Sequence, residues 1–567
     1  MTTPDSGHVS AGVWSVNGET VDGRPHTPVC NNDTSVRAGK AVTADADIRR
    51  HKSDVGAHGG FGLKRITFWG SFCLNLNNCM GPAMVLLPLL NQQAGWFTCT
   101  VVMCIAYLLS TIAATMLCEA MQRIPGNHDF NLRYEFATLV RHYYGHTSYI
   151  VFQILYTLSM QASNIAAMII SANVVDRFID KVAHASYALN FVSWKLAESH
   201  VVHPEGVVWC DVGVHHCTTE NEQTWVISLG YLVCAVICIP FGYLNLDENM
   251  WFQWFSLYGL LIFTAEFVGQ FVYNMVHPEC DNDSYTLMNE YNLTCTGDVF
   301  SQTPFISPTI DAQSQVLGIS TFAYAYVVTI PSWVNEKKPG VNVNRAVWWP
   351  ATVGLFMKLA VGLLGAWAFR HLSSSESDIV ETMLRDGQPT VTQYSAYLWD
   401  ITTMIPGIPV LAVMVRYNLL SGNVCGRFGS FFWGVLFPWI ATAFCYEKKG
   451  ALDMVCNWVA ILFQGYINFV VPAMLYRRSL IEYPQTRPPS RMSGLLDKAS
   501  GEDVPLLLDG DEHCTEAPVN AVPQFISIGS FKIRLNPFYV ANTIIVIFSF
   551  LSTLSIIISI LDVFNIA

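Results

Sequence analysis

The stretch LNLNNCMGPAM, residues 74–84, decides the fold. It lies inside an apolar window, 68–90, that is long enough to cross a bilayer, yet it carries three amides and a Gly-Pro step. Pro82 has no N–H and clashes with the preceding turn, and Gly81 lets the backbone leave the helix. Because an unpaired backbone group in lipid is costly, a break at this depth is tolerated only where it lines a cavity. A kinked but continuous helix, whose amides bond to neighbouring helices, is the competing interpretation.

A second interrupted stretch, GISTFAYAYVVTIP at 318–331, favours the break. It is also polar, and it also carries a proline inside an apolar window. The two windows are the first and the sixth of the chain, which are corresponding members of two five-helix halves. Paired interruptions at equivalent positions are typical of inverted-repeat transporters, whose site lies near the membrane midplane. The repeat is inferred from this spacing, since no internal sequence identity is visible.

The remaining sequence also indicates a membrane protein. Of its 567 residues, 52% are hydrophobic and 13% are charged, whereas soluble domains carry about 25% charged residues. Its mean hydropathy is +0.34. Recurrent apolar windows predict an all-α integral membrane protein with about eleven transmembrane helices: a 5+5 inverted-repeat core with broken first and sixth helices, and one extra helix. The windows are 68–90, 97–121, 149–175, 225–244, 254–276, 316–334, 348–369, 397–417, 431–446, 454–476 and 538–561.

The windows divide the chain into four parts. Residues 1–62 are a polar tail that we expect to be disordered and cytoplasmic, and 63–476 are the ten-helix core. Residues 477–536 are a second disordered cytoplasmic segment, and 537–567 hold the eleventh helix. With the first tail inside, the cytoplasmic segments carry most of the Lys and Arg residues, as the positive-inside rule requires. The net charge of -12 excludes nucleic acid as a partner, because no basic cluster appears.

Two loops on the predicted outer side carry candidate modifications. Asn282 and Asn292 lie in sequons, and Cys280 and Cys295 flank them. Cys210 and Cys217 share an earlier loop, so both cysteine pairs are disulfide candidates in an oxidising compartment. The earlier loop also holds two histidines, but its spacing matches no common zinc finger, and we assign no metal site. The stretch EDVPLL at 502–507 resembles an acidic dileucine signal, which predicts sorting adaptors as partners of the 477–536 segment.

Four motifs of the chain carry a resemblance to a known family. The most specific is NCMGPAMVLLP at 78–88, which continues to AGW at 94–96, and the others are RIPGN at 123–127, RYEF at 133–136 and IPSWVNE at 330–336. Together they resemble the amino acid/auxin permease family, within the amino acid, polyamine and organocation transporter superfamily. The resemblance extends over about 68–476 and implies secondary active transport of amino acids, by H⁺ or Na⁺ symport with alternating access. It implies a multi-pass protein of the plasma membrane or of a vacuolar or lysosomal membrane, with no organic cofactor and no enzymatic activity.

Unwinding of both helices predicts how an amino acid binds. N–H groups at the first break form a positive end suited to a carboxylate, and carbonyls at the second accept from an ammonium. Phe322 and Tyr324 are candidate gates or pocket walls, although ordinary packing explains either one equally well. The predicted substrate-binding residues are Asn77, Asn78, Met80, Gly81, Pro82, Ala83, Thr321, Phe322, Ala323 and Tyr324.

Few ionisable residues lie within the spans, and each is therefore a functional hypothesis. Glu266 lies deepest and is the candidate for ion coupling, its alternative role being a hydrogen bond to a neighbouring helix. Lys358 is far enough from the middle of its span to snorkel towards the interface. Asp400 and Glu119 lie near span ends, where we expect them to be solvated.

Other classes of membrane protein fit the sequence less well. The number of helices excludes a seven-span receptor. A channel for small solutes would carry a repeated filter-like stretch, and the sequence contains none. The spans contain no nucleophile or metal constellation of an enzyme. A transporter-derived amino acid sensor would use the same pocket. It remains the alternative interpretation, because only a measurement of flux distinguishes binding from transport.

Overall fold

The computed structural model describes residues 60–80, 83–183, 187–192, 208–211, 224–277, 303–307, 310–369, 379–384, 388–445, 463–483 and 536–563. The α-helices up to residue 277 are α1 (Phe68–Cys79), α2 (Ala83–Ala94), α3 (Trp96–Gln122), α4 (Phe136–Ala183), α5 (Leu229–Tyr243) and α6 (Met250–Val276). Those that follow are α7 (Ile310–Ala323), α8 (Ile330–Glu336), α9 (Val343–Ala368), α10 (Ile379–Met383), α11 (Thr390–Met404), α12 (Gly407–Ser421), α13 (Arg427–Phe431), α14 (Phe437–Cys445), α15 (Val471–Glu482) and α16 (Pro537–Val563).

Shorter helical turns join some of these helices. Two of them, His128–Phe130 and Ala325–Thr329, are 3₁₀ turns. Two others, Phe432–Leu436 before α14 and Tyr466–Val470 before α15, are π-helical. Such segments widen or tighten the backbone locally and often lie at functional positions.

Six helices in the described part of the chain are long and apolar enough to cross a membrane, or seven if the bent pair α1 and α2 forms one span. The six are Trp96–Gln122, Phe136–Ala183, Met250–Val276, Gln315–Glu336, Val343–Ala368 and Thr390–Ser421. Leu229–Tyr243 and Pro537–Leu551 are shorter apolar helices. An all-α integral membrane fold is confirmed. The number of about eleven spans stays a prediction, because the ninth and tenth windows run into residues outside the described ranges.

Helix α4 shows how the bundle meets its surroundings. Val151, Ile154 and Leu158 follow one face and are 55%, 55% and 53% exposed. Phe152 and Tyr156 on the other face are buried against Phe136. An exposed stripe of large aliphatic side chains is unfavourable in water and is suited to lipid chains.

A small sheet lies between α4 and α5. Strands β1 (Tyr187–Val192), β2 (Val208–Asp211) and β3 (Thr224–Ser228) pair antiparallel in the order β2-β1-β3. The strands are rich in aromatic and β-branched residues, which pack well on a pleated surface. Strands β1 and β2 are too short to form an apolar window and lie in a predicted loop, whereas β3 takes residues that the window 225–244 assigned to a helix, which begins only at Leu229.

Candidate functional site

The first span breaks where the sequence predicts. Helix α1 ends at Cys79, and Met80 has the non-helical dihedral angles φ -98° and ψ 51°. Its N–H still reaches the carbonyls of Leu76 and Asn77, at 3.0 and 3.1 Å. Helix α2 starts at Ala83, and the two helices are bent by 46° relative to each other. Gly81 and Pro82 lie outside the described residues.

The sixth span breaks as well, by a different route. Helix α7 ends at Ala323, Tyr324 leaves helical geometry at φ -118° and ψ 24°, and a 3₁₀ turn leads into α8. Neighbouring side chains bond to the released backbone groups, as a break at membrane depth requires. Ser110 Oγ donates to the Tyr324 carbonyl at 2.8 Å, and the Val328 N–H donates to Asn468 Oδ1 at 3.2 Å.

The two breaks meet at the side chain of Lys358 on α9. Its Nζ donates to the Ala323 carbonyl at 2.5 Å and lies 3.7 Å from Cys79 Sγ. It also lies 3.9 Å from the centroid of the Tyr324 ring, within cation–π distance. Lys358 is 0% exposed. The predicted snorkelling of Lys358 is therefore wrong, because its amine has partners at the junction of the two breaks and turns inward.

The backbone carbonyls at the second break are only partly available to a ligand, because two of them already accept hydrogen bonds within the protein. The Thr321 carbonyl accepts from the Tyr324 N–H at 3.3 Å, and the Ala323 carbonyl accepts from Lys358. The Thr321 hydroxyl donates back to the Leu317 carbonyl at 2.7 Å. A ligand ammonium that used either carbonyl would therefore have to displace a bond already present.

The amides of the first span have separate partners. Asn75 Nδ2 donates to the Ala346 carbonyl at 3.0 Å, which ties α1 to α9. Asn77 Nδ2 donates to Gln253 O and Oε1 on α6, at 2.8 and 3.1 Å. Gln253 in turn donates to the Pro406 carbonyl, between α11 and α12. Asn78 Nδ2 is buried and has no hydrogen-bond partner among the described residues. The side-chain oxygens of Asn75 and Asn77 are also buried without a partner among the described residues, so Asn78 is the amide of this break whose donor group is free.

The two aromatic candidates differ in their environment. Tyr324 is fully buried, with its ring 6.2 Å from that of Tyr107 on α3. Phe322 is partly exposed and packs on the edge of the core. Tyr324 is therefore part of the wall behind the junction, whereas Phe322 keeps a free edge. Met80 and Ala83, which flank the first break, are also fully buried.

Residues 64–208 match the family model of the transmembrane amino acid transporter proteins. Over these residues the chain is similar to the transmembrane amino acid transporter proteins. The match spans α1 to β2 and contains the first break, so the resemblance to amino acid permeases is confirmed for this part of the molecule. No curated protein sequence matches the chain significantly.

Solved transporter structures superpose loosely on this chain. One is Mhp1, a nucleobase-cation-symport-1 family transporter in a closed conformation with bromovinylhydantoin bound, at 12% identity and a TM-score of 0.48; the alignment covers 76% of this chain and 85% of that one. Another is a manganese transporter of Eremococcus coleocola in complex with an aromatic bis-isothiourea substituted compound, at 12% identity and a TM-score of 0.44; that alignment covers 76% of this chain and 83% of the other.

Glu266, the predicted coupling residue, lies away from the two breaks. Its Oε1 accepts from Thr392 Oγ1 of α11 at 2.8 Å, and the side chain is partly exposed. Gln253, which contacts the first break, precedes Glu266 by thirteen residues on α6. This separation is about 20 Å along a helix. The contact with α11 matches the alternative role, a hydrogen bond to a neighbouring helix.

Two segments that carried the resemblance contact each other, which sequence reasoning missed. Glu135 precedes α4 and is 1% exposed. Its carboxylate accepts from Ser332 Oγ at 2.6 Å and from Asn335 Nδ2 at 2.9 Å, both on α8. Burial raises the pKa of Glu135 above its ordinary value, and the two hydrogen bonds oppose that shift. The signal was available, since a lone carboxylate in RYEF and polar residues at i and i+3 in IPSWVNE suggest a buried partnership.

A second buried carboxylate, Glu336, fixes the segment before α1. Its two oxygens accept from the N–H groups of Gly62 and Asp247 at 3.0 and 2.9 Å. Ile66 and Lys337 add a parallel backbone bridge. The segment 60–66 is therefore bound to the end of the sixth span.

Two charged residues expected in solvent are buried. Glu119 and Asp400 are each 5% exposed. Those predictions are wrong, because neighbouring helices cover the span ends: α15 packs on α3, and α4 and α6 pack on α11.

The other predicted sites lie outside the described side chains. These are Asn282, Asn292, Cys217, Cys280 and Cys295, while Cys210 lies in β2 without a described side chain. Glycosylation and both disulfide pairs stay predictions. The acidic sorting signal at 502–507 lies outside the described residues as well.

Proposed function

We propose that the protein is a secondary active transporter that moves amino acids across its membrane by ion-coupled symport. The observation that carries the proposal is the meeting of two broken spans at one buried polar junction, Cys79, Ala323 and Lys358. A break in each of two packed spans exposes backbone groups to a ligand without exposing them to lipid. The family match over 64–208 supports a substrate of the amino acid class.

The chemistry of the junction suits a zwitterion. The first turn of α2, from Ala83 onward, presents a helix N-terminus to a carboxylate. The carbonyl side of the second break, 321–323, suits an ammonium. Asn78 offers an amide donor that no described residue uses. Asn77, Met80 and Phe322 complete the proposed pocket.

Alternating access follows from the difference between the two sides of the junction. Helices α1 and α7 end there, whereas α9 passes behind them without interruption from Val343 to Ala368. Rocking of the interrupted helices against α3 and α9 exposes the junction first to one compartment and then to the other. H⁺ and Na⁺ are the candidate coupling ions.

The proposal is tested by reconstituting the full chain into proteoliposomes and measuring uptake of radiolabelled amino acids. Three conditions are compared: an inward H⁺ gradient, an inward Na⁺ gradient and no gradient. We expect saturable uptake of at least one amino acid, accumulated above equilibrium only when one ion gradient is present. Substrate binding without flux would instead identify a sensor, and equilibration unaffected by either gradient would identify a channel.

A matched pair of amide variants localises the activity. Asn78→Ala removes the free donor at the first break, and we expect a several-fold rise in KM. Asn274→Ala is the control, because Asn274 is also partly exposed and bonds to Gln270 on its own helix. The same KM of uptake in both variants would show that Asn78 is not part of the pocket.

A further inference from the structure

Lys358 is a buried cation for which the described residues provide no carboxylate. Its amine is held by one carbonyl, one thiol and one aromatic face, from Ala323, Cys79 and Tyr324. A buried ammonium is normally paired with an anion, because removing its charge from water without a partner costs several kcal/mol. A residue of this kind inside a membrane is a functional hypothesis by default.

The packing of α9 explains why the amine points into the junction. Gly354, Lys358 and Gly362 are spaced by four residues and share one helix face. A Cβ at Gly354 would lie 3.3 Å from Cys79 Sγ, and one at Gly362 would lie 3.1 Å from Leu87 Cβ. The glycines let α9 approach the first span closely. The lysine between them therefore enters the gap between α1 and α2.

The titratable groups that surround the amine are thiols and phenols. Cys79 comes from α1 and Tyr324 from the second break, and α3 contributes Tyr107, whose ring lies 6.2 Å from that of Tyr324, and Cys104. From α6, the carboxylate of Glu266 is bonded to α11 instead. An anion that entered the junction would therefore supply the counter-charge that these side chains do not.

We propose that Lys358 binds the substrate carboxylate and also carries the coupling proton. This inference rests on the proposed function and names the recognition chemistry of the same site. A protonated amine and a carboxylate stabilise each other, so proton and amino acid load together, which is positive coupling between two ligands. After the amino acid leaves on the far side, the ammonium gives its proton to water there. The neutral amine then returns, and each cycle moves one amino acid and one proton in the same direction.

The roles of carboxylate binding and proton transfer are separated by two substitutions. Lys358→Arg keeps a positive charge that does not dissociate at physiological pH. We expect this variant to exchange amino acid across vesicles at symmetrical pH, with a KM that no longer changes with pH, and to lose accumulation driven by an H⁺ gradient. Lys358→Met removes the charge. We expect its KM to rise by at least about tenfold and its H⁺-driven accumulation to be lost.

Substrate analogues give an independent readout. Amino acid amides and decarboxylated amines lack the anion, so we expect neither to compete with the amino acid in the wild type. In the wild type we also expect KM to fall as the pH on the substrate side falls.

Two control variants make the outcome specific. Lys338→Met removes an exposed lysine in the segment after α8 and should leave coupling unchanged. Glu266→Gln should also leave it unchanged, and loss of H⁺ coupling in that variant would overturn the proposal. Full H⁺-driven accumulation by the Arg variant would do so as well, as would an unchanged KM in a Met variant that reaches the membrane. If the wild type accumulates amino acids with Na⁺ alone, only this inference fails; if it moves no amino acid, the proposed function fails.

Discussion

The two ends of the sixth span differ in how their polar groups are bonded. At the end of α8, Glu135 and Glu336 each accept two hydrogen bonds from neighbouring segments. At the break, Ser320 Oγ and Tyr324 OH are buried without a hydrogen-bond partner among the described residues, and Lys358 has no carboxylate there. The α8 end also holds buried atoms without a partner among the described residues, Trp333 Nε1 and Asn335 Oδ1. The two ends therefore differ in charge: the carboxylates at the α8 end are bonded to neighbouring segments and fix the span, whereas the ammonium at the break lacks an anion, which indicates a place for a ligand.

The first prediction, with the largest expected effect, concerns the break. Gly354→Leu places a branched side chain where a Cβ alone would already lie 3.3 Å from Cys79 Sγ and 3.4 Å from Met80 Sδ. We expect uptake to fall by more than about tenfold, because α9 and the first span must separate. Gly269→Leu on α6 is the matched control, since a Cβ there meets nothing within 4 Å. Equal uptake in the two variants would show that close packing at the break is unimportant.

The second prediction concerns the α8 end of the sixth span, where Glu135 and Glu336 accept hydrogen bonds. Glu135→Ala leaves the donors of Ser332 and Asn335 buried without their acceptor, which costs about 1–3 kcal/mol for each. We expect a clear loss of thermal stability in detergent, measured by the melting temperature. Glu135→Gln retains one acceptor and should lose less. Similar melting temperatures for the wild type and the Ala variant would mean that this carboxylate does not anchor α8.

Glu135 also gives a pH dependence with a defined sign. Because its pKa is raised in the folded protein, the folded state binds the proton more tightly than the unfolded chain. Its contribution to stability is therefore fully present below the ordinary carboxyl pKa and is lost as pH rises through the raised value. As pH rises above the ordinary carboxyl pKa, Glu135→Gln should show a flatter change of melting temperature than the wild type. A steeper change would contradict the sign.

Several of these features were predictable from sequence, and the reason is chemical. Both breaks were predicted because proline, glycine and amides within an apolar window conflict with a continuous helix. The small sheet was missed because β1 and β2 are too short for a hydropathy window and the residues of β3 fall in a window assigned to a helix. The substrate set from Asn77 to Tyr324 stays a prediction, although both of its halves flank the observed junction.

Lys358 shows where one-dimensional reasoning fails. Its distance from the middle of the span suggested a path to the interface, and that distance takes no account of which face the side chain occupies. The spacing of Gly354, Lys358 and Gly362 does define the face, since small residues at intervals of four mark a packed surface. Glu336 is different, because its partners Gly62 and Asp247 lie 274 and 89 residues away in the chain and no local pattern identifies such pairs.

The third prediction concerns the segment before α1. Glu336→Gln replaces one of the two acceptor oxygens that hold Gly62 and Asp247. We expect Lys64 and Arg65 to become several-fold more sensitive to trypsin, because the segment 60–66 detaches more often. Glu248→Gln is the control, since Glu248 bonds to Asn245 within its own turn. Cleavage at the wild-type rate would show that Glu336 does not hold the segment.

The smallest expected effect is that of Tyr417→Phe. The Tyr417 hydroxyl accepts from the N–H groups of Gly62 and Leu246 and donates to Asn245 Oδ1, each at 3.2 Å. Its loss should cost about 1–3 kcal/mol, because the Leu246 N–H alone loses its partner, while Gly62 keeps the bond to Glu336 and Asn245 keeps the bond to Arg416. The melting temperature should therefore drop less than in Glu135→Ala. A larger drop would make the hydroxyl, and not the carboxylates, the main anchor.

The central claim, that the junction of the two breaks moves an amino acid together with a proton, is tested most directly by recording both fluxes in the same vesicles. Proteoliposomes with a pH-sensitive dye inside and no imposed ion gradient receive a radiolabelled amino acid from outside. We predict that the lumen acidifies as the label enters, with one proton per amino acid, and that Lys358→Arg abolishes the acidification while exchange continues. Entry of the label without any change of lumenal pH would contradict the claim.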